Sequence, residues 1–481
     1  MKQQQEELKP GLKQQQEELK PGLKQRHLTM ISLSGVIGAG LFVGSGIIIG
    51  QTGPGAILSY VLAGLIVVLV MRMLGEMATV NPNTGSFAVY AREGIGEWAG
   101  FTTGWLYWFF WVIVIALEAT AGAAIIHSWL PSVPVWVISL SLIILLKLTN
   151  IFSVKSFGEF EYWFSIIKII SIILFLCLGV AVILGFIPTI KPPGASNLLN
   201  FGGFIPNGLS SVLVGVAIVF HAFVGVEIPA IAAGETSDPV KSVRSALNSV
   251  VWRILIFYIG SIAILVTLLP WNSASLLKSP FVAVLEMMGI PSAALIMNIV
   301  ILIALLSCLN SGLYTSSRML FSLAQKGDAP KLFSKVSKNG VPILAVVGST
   351  IFAFISTIFS YVSPDKIFFF LVNSSGGVGI LVYLAIAVSH LRLRKRMEKE
   401  NPGIFKIKMW LFPYLTYVTI LSMISVLILM AFIDSQRPQF IFTMLFSLIV
   451  ICSFFFLRRK KAKYMENELN IVSGSPNSEK L

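Results

Sequence analysis

Long apolar runs alternate with short polar segments along almost the whole chain, and each run is about as long as a helix needs to cross a bilayer. They predict helices near 28–50, 54–78, 98–128, 134–153, 157–187, 208–234, 250–270, 292–324, 341–361, 366–390, 409–433 and 438–457, twelve spans in all. Two of the runs are interrupted. The first contains Gly35-Val36-Ile37-Gly38-Ala39-Gly40-Leu41-Phe42-Val43-Gly44-Ser45-Gly46, five glycines in twelve residues. Each glycine weakens a helix interior by about 1 kcal/mol, so this span is expected to break near its middle. The sixth contains Phe220-His221-Ala222-Phe223-Val224-Gly225-Val226-Glu227-Ile228-Pro229, with glycine and proline flanking a buried acid.

A break at membrane depth leaves backbone groups without partners, which is tolerable only beside a cavity or a ligand. The breaks fall in spans one and six. Five spans separate the starts of the two units, and five is odd, so the second unit inserts upside down relative to the first. The pattern therefore predicts an all-α integral membrane protein of twelve transmembrane helices. It is a 5+5 inverted repeat with broken helices one and six, a site between the breaks, and two extra C-terminal helices. In residue ranges, 1–27 is a polar tail, 28–187 the first repeat, 208–390 the second, 409–457 helices eleven and twelve, and 458–481 a basic tail. The first tail carries KQQQEELKPGL twice in tandem, a local duplication broken by Pro-Gly, and residues 473–481 have a disordered composition.

Composition agrees. The 481 residues are 56% hydrophobic and 12% charged, with a mean hydropathy of +0.83. The net charge of +14 does not indicate nucleic acid, because the cations crowd into the termini and alternate loops, as in 392–408, 326–338 and 458–461. That is the positive-inside pattern, and it puts both termini in the cytoplasm. Cys177, Cys308 and Cys452 lie in apolar runs at no zinc spacing, and imply neither a metal nor disulfides. No cleavable signal peptide is visible. Gly38-Ala39-Gly40 lacks the strand and βαβ context of a dinucleotide site, and no P-loop is present. Without a nucleotide site, and with no cofactor expected, an ion gradient must supply the energy. An integral membrane enzyme is disfavoured, since no His/Asp/Glu cluster has metal or hydrolytic spacing.

Two broken helices suit a zwitterion. Free amides at a half-helix N-terminus favour a carboxylate, and free carbonyls at the opposing ends accept an ammonium. The amides of Gly38, Ala39, Gly40 and Leu41 are the carboxylate candidates. The carbonyls of Val36, Ile37, Phe220, Ala222 and Phe223 are the ammonium candidates, with His221 and Gly225 in the second break. The competing explanation is that these glycines only permit close helix packing. Lys168, Glu227 and Glu118 are charges deep within spans five, six and three, and such charges are functional candidates by position. Lys168 and Glu227 are the candidates for proton coupling, and their depth allows them to pair. Arg72, Lys147, Arg253 and Arg318 lie near span ends, where they are expected to snorkel. His127 and His221 are expected to be packed and hydrogen-bonded. The segment Gly234-Glu235-Thr236-Ser237-Asp238-Pro239 reads as either an inner gate or a helix cap.

These residues resemble the amino acid–polyamine–organocation superfamily, in particular its bacterial amino acid transporter branch. The resemblance is carried by 35–46, Met73-Leu74-Gly75-Glu76-Met77, Gly85-Ser86-Phe87, Gly158-Glu159-Phe160-Glu161-Tyr162-Trp163-Phe164, Ala232-Ala233-Gly234-Glu235-Thr236, Pro280-Phe281-Val282-Ala283-Val284 and Asn310-Ser311-Gly312-Leu313-Tyr314. Around 105–124 and 270–286 the chain looks most like the Gram-positive GABA permeases. The resemblance implies the LeuT-like fold in a bacterial cytoplasmic membrane, importing an amino acid with a proton by alternating access. GABA or a small neutral α-amino acid is the implied substrate, and Asn310 and Ser311 join the candidate site. It also implies that Lys168 stands where sodium sits in sodium-coupled relatives, and that Glu227 matches an acid of basic-amino-acid permeases. His221 and Pro229 depart from the usual pattern. An exchanger, a channel or a sensor on the same scaffold is the alternative. Protons, the lipid bilayer and a small amino acid are the expected partners, with no nucleic acid; the sequence leaves the oligomeric state open.

Overall fold

A computed structural model describes residues 25–472, except 35–36, 83–84, 153, 233–238, 291, 361–363, 406 and 435. The tandem duplication, Val36, the 234–238 segment and the tail from 473 lie outside the described residues. Among the described residues there are helices, turns and bends but no strand.

The first apolar run forms three pieces, α1 (Gln25–Ser34), α2 (Ala39–Phe42) and α3 (Gly44–Thr52). A 3-10 turn at Gly53–Gly55 reverses the chain into α4 (Ala56–Val80). A short buried helix, α5 (Ser86–Gly94), precedes α6 (Glu97–Trp129). Then come α7 (Val135–Phe152) and α8 (Val154–Ile183). The loop beyond them holds α9 (Ser196–Leu199).

The sixth run is α10 (Gly208–Phe223), an unwound stretch at 224–227, and α11 (Ile228–Ala232). Gly225 has φ +110, a conformation open to glycine and strained for residues with a Cβ. Pro229 sits in the first turn of α11, where its missing N–H costs no helical bond. Both residues that mark this break in the sequence are therefore used by it. Next come α12 (Pro239–Trp252), a π-helical segment at Arg253–Gly260 and α13 (Ser261–Leu268). The short helices α14 (Ala274–Lys278) and α15 (Pro280–Met287) precede α16 (Ala293–Gln325). Last are α17 (Ile343–Ser360), α18 (Pro364–Glu400), α19 (Tyr414–Phe432) and α20 (Arg437–Val472).

Ten helices of the described residues are long and apolar enough to cross a membrane. The difference from twelve has two sources. The Ala39–Val80 stretch counts as one although it turns at Gly53–Gly55, and α17 is counted only over Ile343–Ile355. The core is built around α6, which is buried along most of its length and packs on α16, α17 and α18. By contrast, α8, α19 and α20 keep apolar faces outward, with Leu174, Leu421 and Phe456 exposed, as lipid-facing helices do.

Candidate functional site

The two breaks meet. A Cβ built on Gly40 would lie 2.8 Å from the Ala222 Cα and 2.9 Å from its Cβ, so only glycine lets α2 come this close to α10. Here the close-packing explanation of the glycines holds. At Gly38 the neighbour is polar: a Cβ would lie 2.6 and 2.8 Å from the two Glu118 carboxylate oxygens.

Glu118 comes from the middle of α6 and is 2% exposed. Both its oxygens accept from the Ala39 amide, at 3.1 and 3.0 Å. The amides of Leu41 and Phe42 close a turn on the Gly38 carbonyl, each at 3.2 Å. Among the amides expected to meet a carboxylate, Ala39 therefore holds one, supplied by the protein itself.

The second break is built alike. Glu227 turns back on its own loop, and the Gly225 amide donates to both its oxygens at 2.9 Å. The Tyr383 hydroxyl of α18 donates to Glu227 Oε2 at 2.8 Å. Of the carbonyls expected to receive an ammonium, Phe220 accepts from the Val224 amide at 3.0 Å. Ala222 accepts from the Tyr258 hydroxyl at 2.9 Å, and Phe223 from Tyr383 at 3.5 Å. The ring of His221 is hydrogen-bonded through Nδ1 to Ser375 Oγ at 2.6 Å.

Lys168 is fully buried, and among the described residues the acid within 4.0 Å of it is Glu161 rather than Glu227, with which its depth allowed it to pair. Its Nζ donates to Ser307 Oγ at 2.8 Å and to the Ile37 carbonyl at 3.4 Å, and lies 4.0 Å from Glu161 Oε1. The Ser307 hydroxyl donates to Glu161 in turn. Asn310 Nδ2 donates to Glu161 Oε2 at 3.3 Å, and Asn150 Nδ2 to Asn310 Oδ1 at 2.7 Å. This buried network ties α8 to α16, α7 and the first break. It includes Asn310 directly, and Ser311 is buried beside it on the same helix. Glu161 escaped the sequence reading, although it lies seven residues before Lys168 and so on the same face two turns away.

A second unforeseen cluster holds Glu76, fully buried on α4. His390 Nε2 lies 2.9 Å from Glu76 Oε2, Arg394 Nε 3.2 Å from Oε1, and the Met409 amide donates at 2.7 Å. Two cations expected to snorkel do not: Arg253 and Arg318 are each 1% exposed. Arg318 stacks on Tyr314 at 4.1 Å, whereas the guanidinium of Arg253 has no hydrogen-bond partner among the described residues.

Gly40, Trp111, Glu118, His221, Ala222 and Cys308 line a cavity of about 10 Å3 between the breaks, the size of one water. Toward the side away from the basic loops, Phe42, Val43, Thr120, His127, Ser279 and Glu286 line a much larger cavity of about 730 Å3. On the opposite side Arg26 and His27 of α1 pair with Glu159 of α8, and Arg92 of α5 with Asp328. Among the described residues no three His, Cys, Asp or Glu side chains are grouped to hold a metal.

The family model described as amino acid permease matches residues 27–466. The chain belongs to this family. It is 61% identical to the gamma-aminobutyric acid permease of Bacillus subtilis, over 91% of this chain and 93% of that one. It is 48% identical to the gamma-aminobutyric acid permease of Escherichia coli, over 89% and 92% of the two chains. The aromatic amino acid transport protein AroP of Corynebacterium glutamicum is 42% identical, over 89% and 93%. The family and these relatives are transporters, not enzymes, and the long apolar helices make this a multi-pass membrane protein.

Proposed function

We propose that the chain is a secondary active transporter that imports GABA, or a small neutral α-amino acid, across the cytoplasmic membrane by proton symport. The observation that carries this reading is the meeting of α2 and α10, the helical pieces beside the two breaks, at Gly40 and Ala222, with the buried carboxylate of Glu118 seated on the Ala39 amide. A substrate carboxylate takes over that amide as Glu118 withdraws. The substrate ammonium takes the Ala222 carbonyl as the Tyr258 hydroxyl releases it. GABA is favoured by two relatives that bear its name at 61% and 48% identity.

The twelve-span, 5+5 inverted architecture belongs to this proposal. Several correspondences favour it. The third and eighth predicted spans are α6 and α16, each of 33 residues and each preceded by a short buried helix. The first span packs on the fifth, as α1 on α8, and the sixth on the tenth, as α10 on α18. Alternating access is supported by the 730 Å3 cavity on one side of the breaks and ion-paired contacts on the other. Proton coupling is assigned to Lys168 with Glu161 as its partner, and Glu227 serves the second break. Both termini are placed in the cytoplasm by the positive-inside pattern.

The test is uptake of radiolabelled GABA, proline, alanine, serine and basic amino acids in membrane vesicles from a permease-deficient strain. Accumulation of GABA above equilibrium, abolished by a protonophore, is expected. Equilibration without accumulation overturns the reading in favour of a channel, and protonophore-resistant counterflow in favour of an exchanger.

A further inference from the structure

A crevice of about 600 Å3 opens on the side of the basic loops, remote from the breaks. It lies where three candidate spans leave their apolar stretches: the start at Glu97, the end at Gln325 and the end at Arg459. Its floor is apolar, with Phe101 of α6 packed on Phe454 of α20 at 5.4 Å between ring centroids. Its rim is charged. Arg92 is bound to Asp328, which is fixed further by Trp105 Nε1 donating to its carbonyl at 3.2 Å. Arg458 reaches Glu97 at 3.3 Å, but the two side chains are 64% and 56% exposed, so the pair is weak and exchangeable. Lys326 lines the same crevice with no charged partner among the described residues, and exposed Arg459 follows Arg458 in the chain. Past Phe454, the α20 wall continues into Phe455, Phe456 and Leu457, all at least half exposed on the outside of the bundle.

We infer that this crevice binds one anionic phospholipid of the inner leaflet, its phosphate held by Lys326 and Arg458 and its acyl chains along the α20 face. The depth favours a lipid over a soluble anion, because the cations stand at the end of the apolar stretch and the floor beneath them is aromatic. A basic pocket between helices on the cytoplasmic side is the chemistry that anionic headgroups recognise, and each cation there contributes about fivefold to binding. Glu97 competes for Arg458, so the site gains affinity when that acid is neutralised.

The test is native mass spectrometry of the full-length protein, titrated with phosphatidylglycerol and separately with phosphatidylcholine. One phosphatidylglycerol should bind in clear preference to phosphatidylcholine. Lys326→Ala and Arg458→Ala should each weaken it roughly fivefold, and Glu97→Gln should strengthen it. Equal binding of the two lipids, or an unaltered affinity in the double variant, overturns the proposal. Displacement of the lipid by millimolar inorganic phosphate also overturns it, in favour of a soluble-anion site. Should the double variant not fold, Glu97→Gln decides, since a purely structural ion pair predicts no gain.

Discussion

Glu118 holds the Ala39 amide with both carboxylate oxygens, at 3.1 and 3.0 Å, in the break where a substrate carboxylate is expected to bind. A buried carboxylate and an incoming one cannot share a single amide, so the two compete. Ionised Glu118 opposes the substrate, and protonated Glu118 yields the amide. Lys168, Cys308 and Tyr258 act on it electrostatically, and His221 lines the same cavity, so its charge state is set within a shared network. Affinity for GABA should therefore fall as pH rises through the Glu118 titration. Glu118→Gln should flatten that profile without loss of fold, as read by binding from pH 5 to 9. A profile identical to wild type would remove Glu118 from this role.

Lys168 and Glu161 are both fully buried, joined directly at 4.0 Å and through Ser307. Removing one partner leaves an uncompensated charge in the core, a loss of about 3–5 kcal/mol. Lys168→Ala and Glu161→Ala should each lower thermal stability, while the double variant should recover part of the loss. Lys168→Ala should also abolish proton-driven uptake and retain exchange. A double variant as unstable as the sum of the two singles would show that the residues do not act as a pair.

The placement of these residues marks how far the sequence could be read. Glycine density and the Gly225/Pro229 pair located both breaks to within a few residues, because backbone chemistry is local. Charge depth singled out Glu118, Lys168 and Glu227 for the same reason. Partners were not legible. Whether Lys168 faces Glu161 or Glu227 depends on helix rotation and tilt, which apolar periodicity does not define in a helix that is hydrophobic all round. Glu76 was hidden more completely: it lies in α4, and its partners His390, Arg394 and Met409 are more than 300 residues away in sequence. The sequence left two readings of Gly40 open, an amide for a substrate carboxylate and close helix packing, and the space of its missing side chain is taken by Ala222. Composition cannot distinguish space left for a ligand from space left for a neighbouring helix.

That distinction gives a third prediction. A Cβ on Gly40 would meet the Ala222 Cα as well as its Cβ, so the obstacle is partly backbone. Gly40→Ala should destabilise the protein by about 1–3 kcal/mol, as overpacking does. Adding Ala222→Gly should restore only part of the loss, because the Cα remains. Differential scanning fluorimetry in detergent reads both. Full rescue by Ala222→Gly would show that the two segments are not held as closely as the structure has them.

Arg253 poses the opposite problem. The residue is 1% exposed and none of its three guanidinium nitrogens has a hydrogen-bond partner among the described residues, at the start of a π-helical segment. A buried charge without hydrogen bonds is costly, and an apolar residue of similar volume is often more stable in its place by about 1–4 kcal/mol. Arg253→Met should therefore raise the melting temperature. π-Helical segments interrupt regular helices and are frequent at functional sites, and Arg253 opens one. The same substitution should consequently reduce uptake, with stability gained at the expense of transport. Arg253→Lys should preserve the charge without the fork geometry and recover uptake only in part. A variant that is both more stable and fully active would reduce Arg253 to an unfavourable packing residue, and a less stable Arg253→Met would mean that the guanidinium is satisfied where it lies.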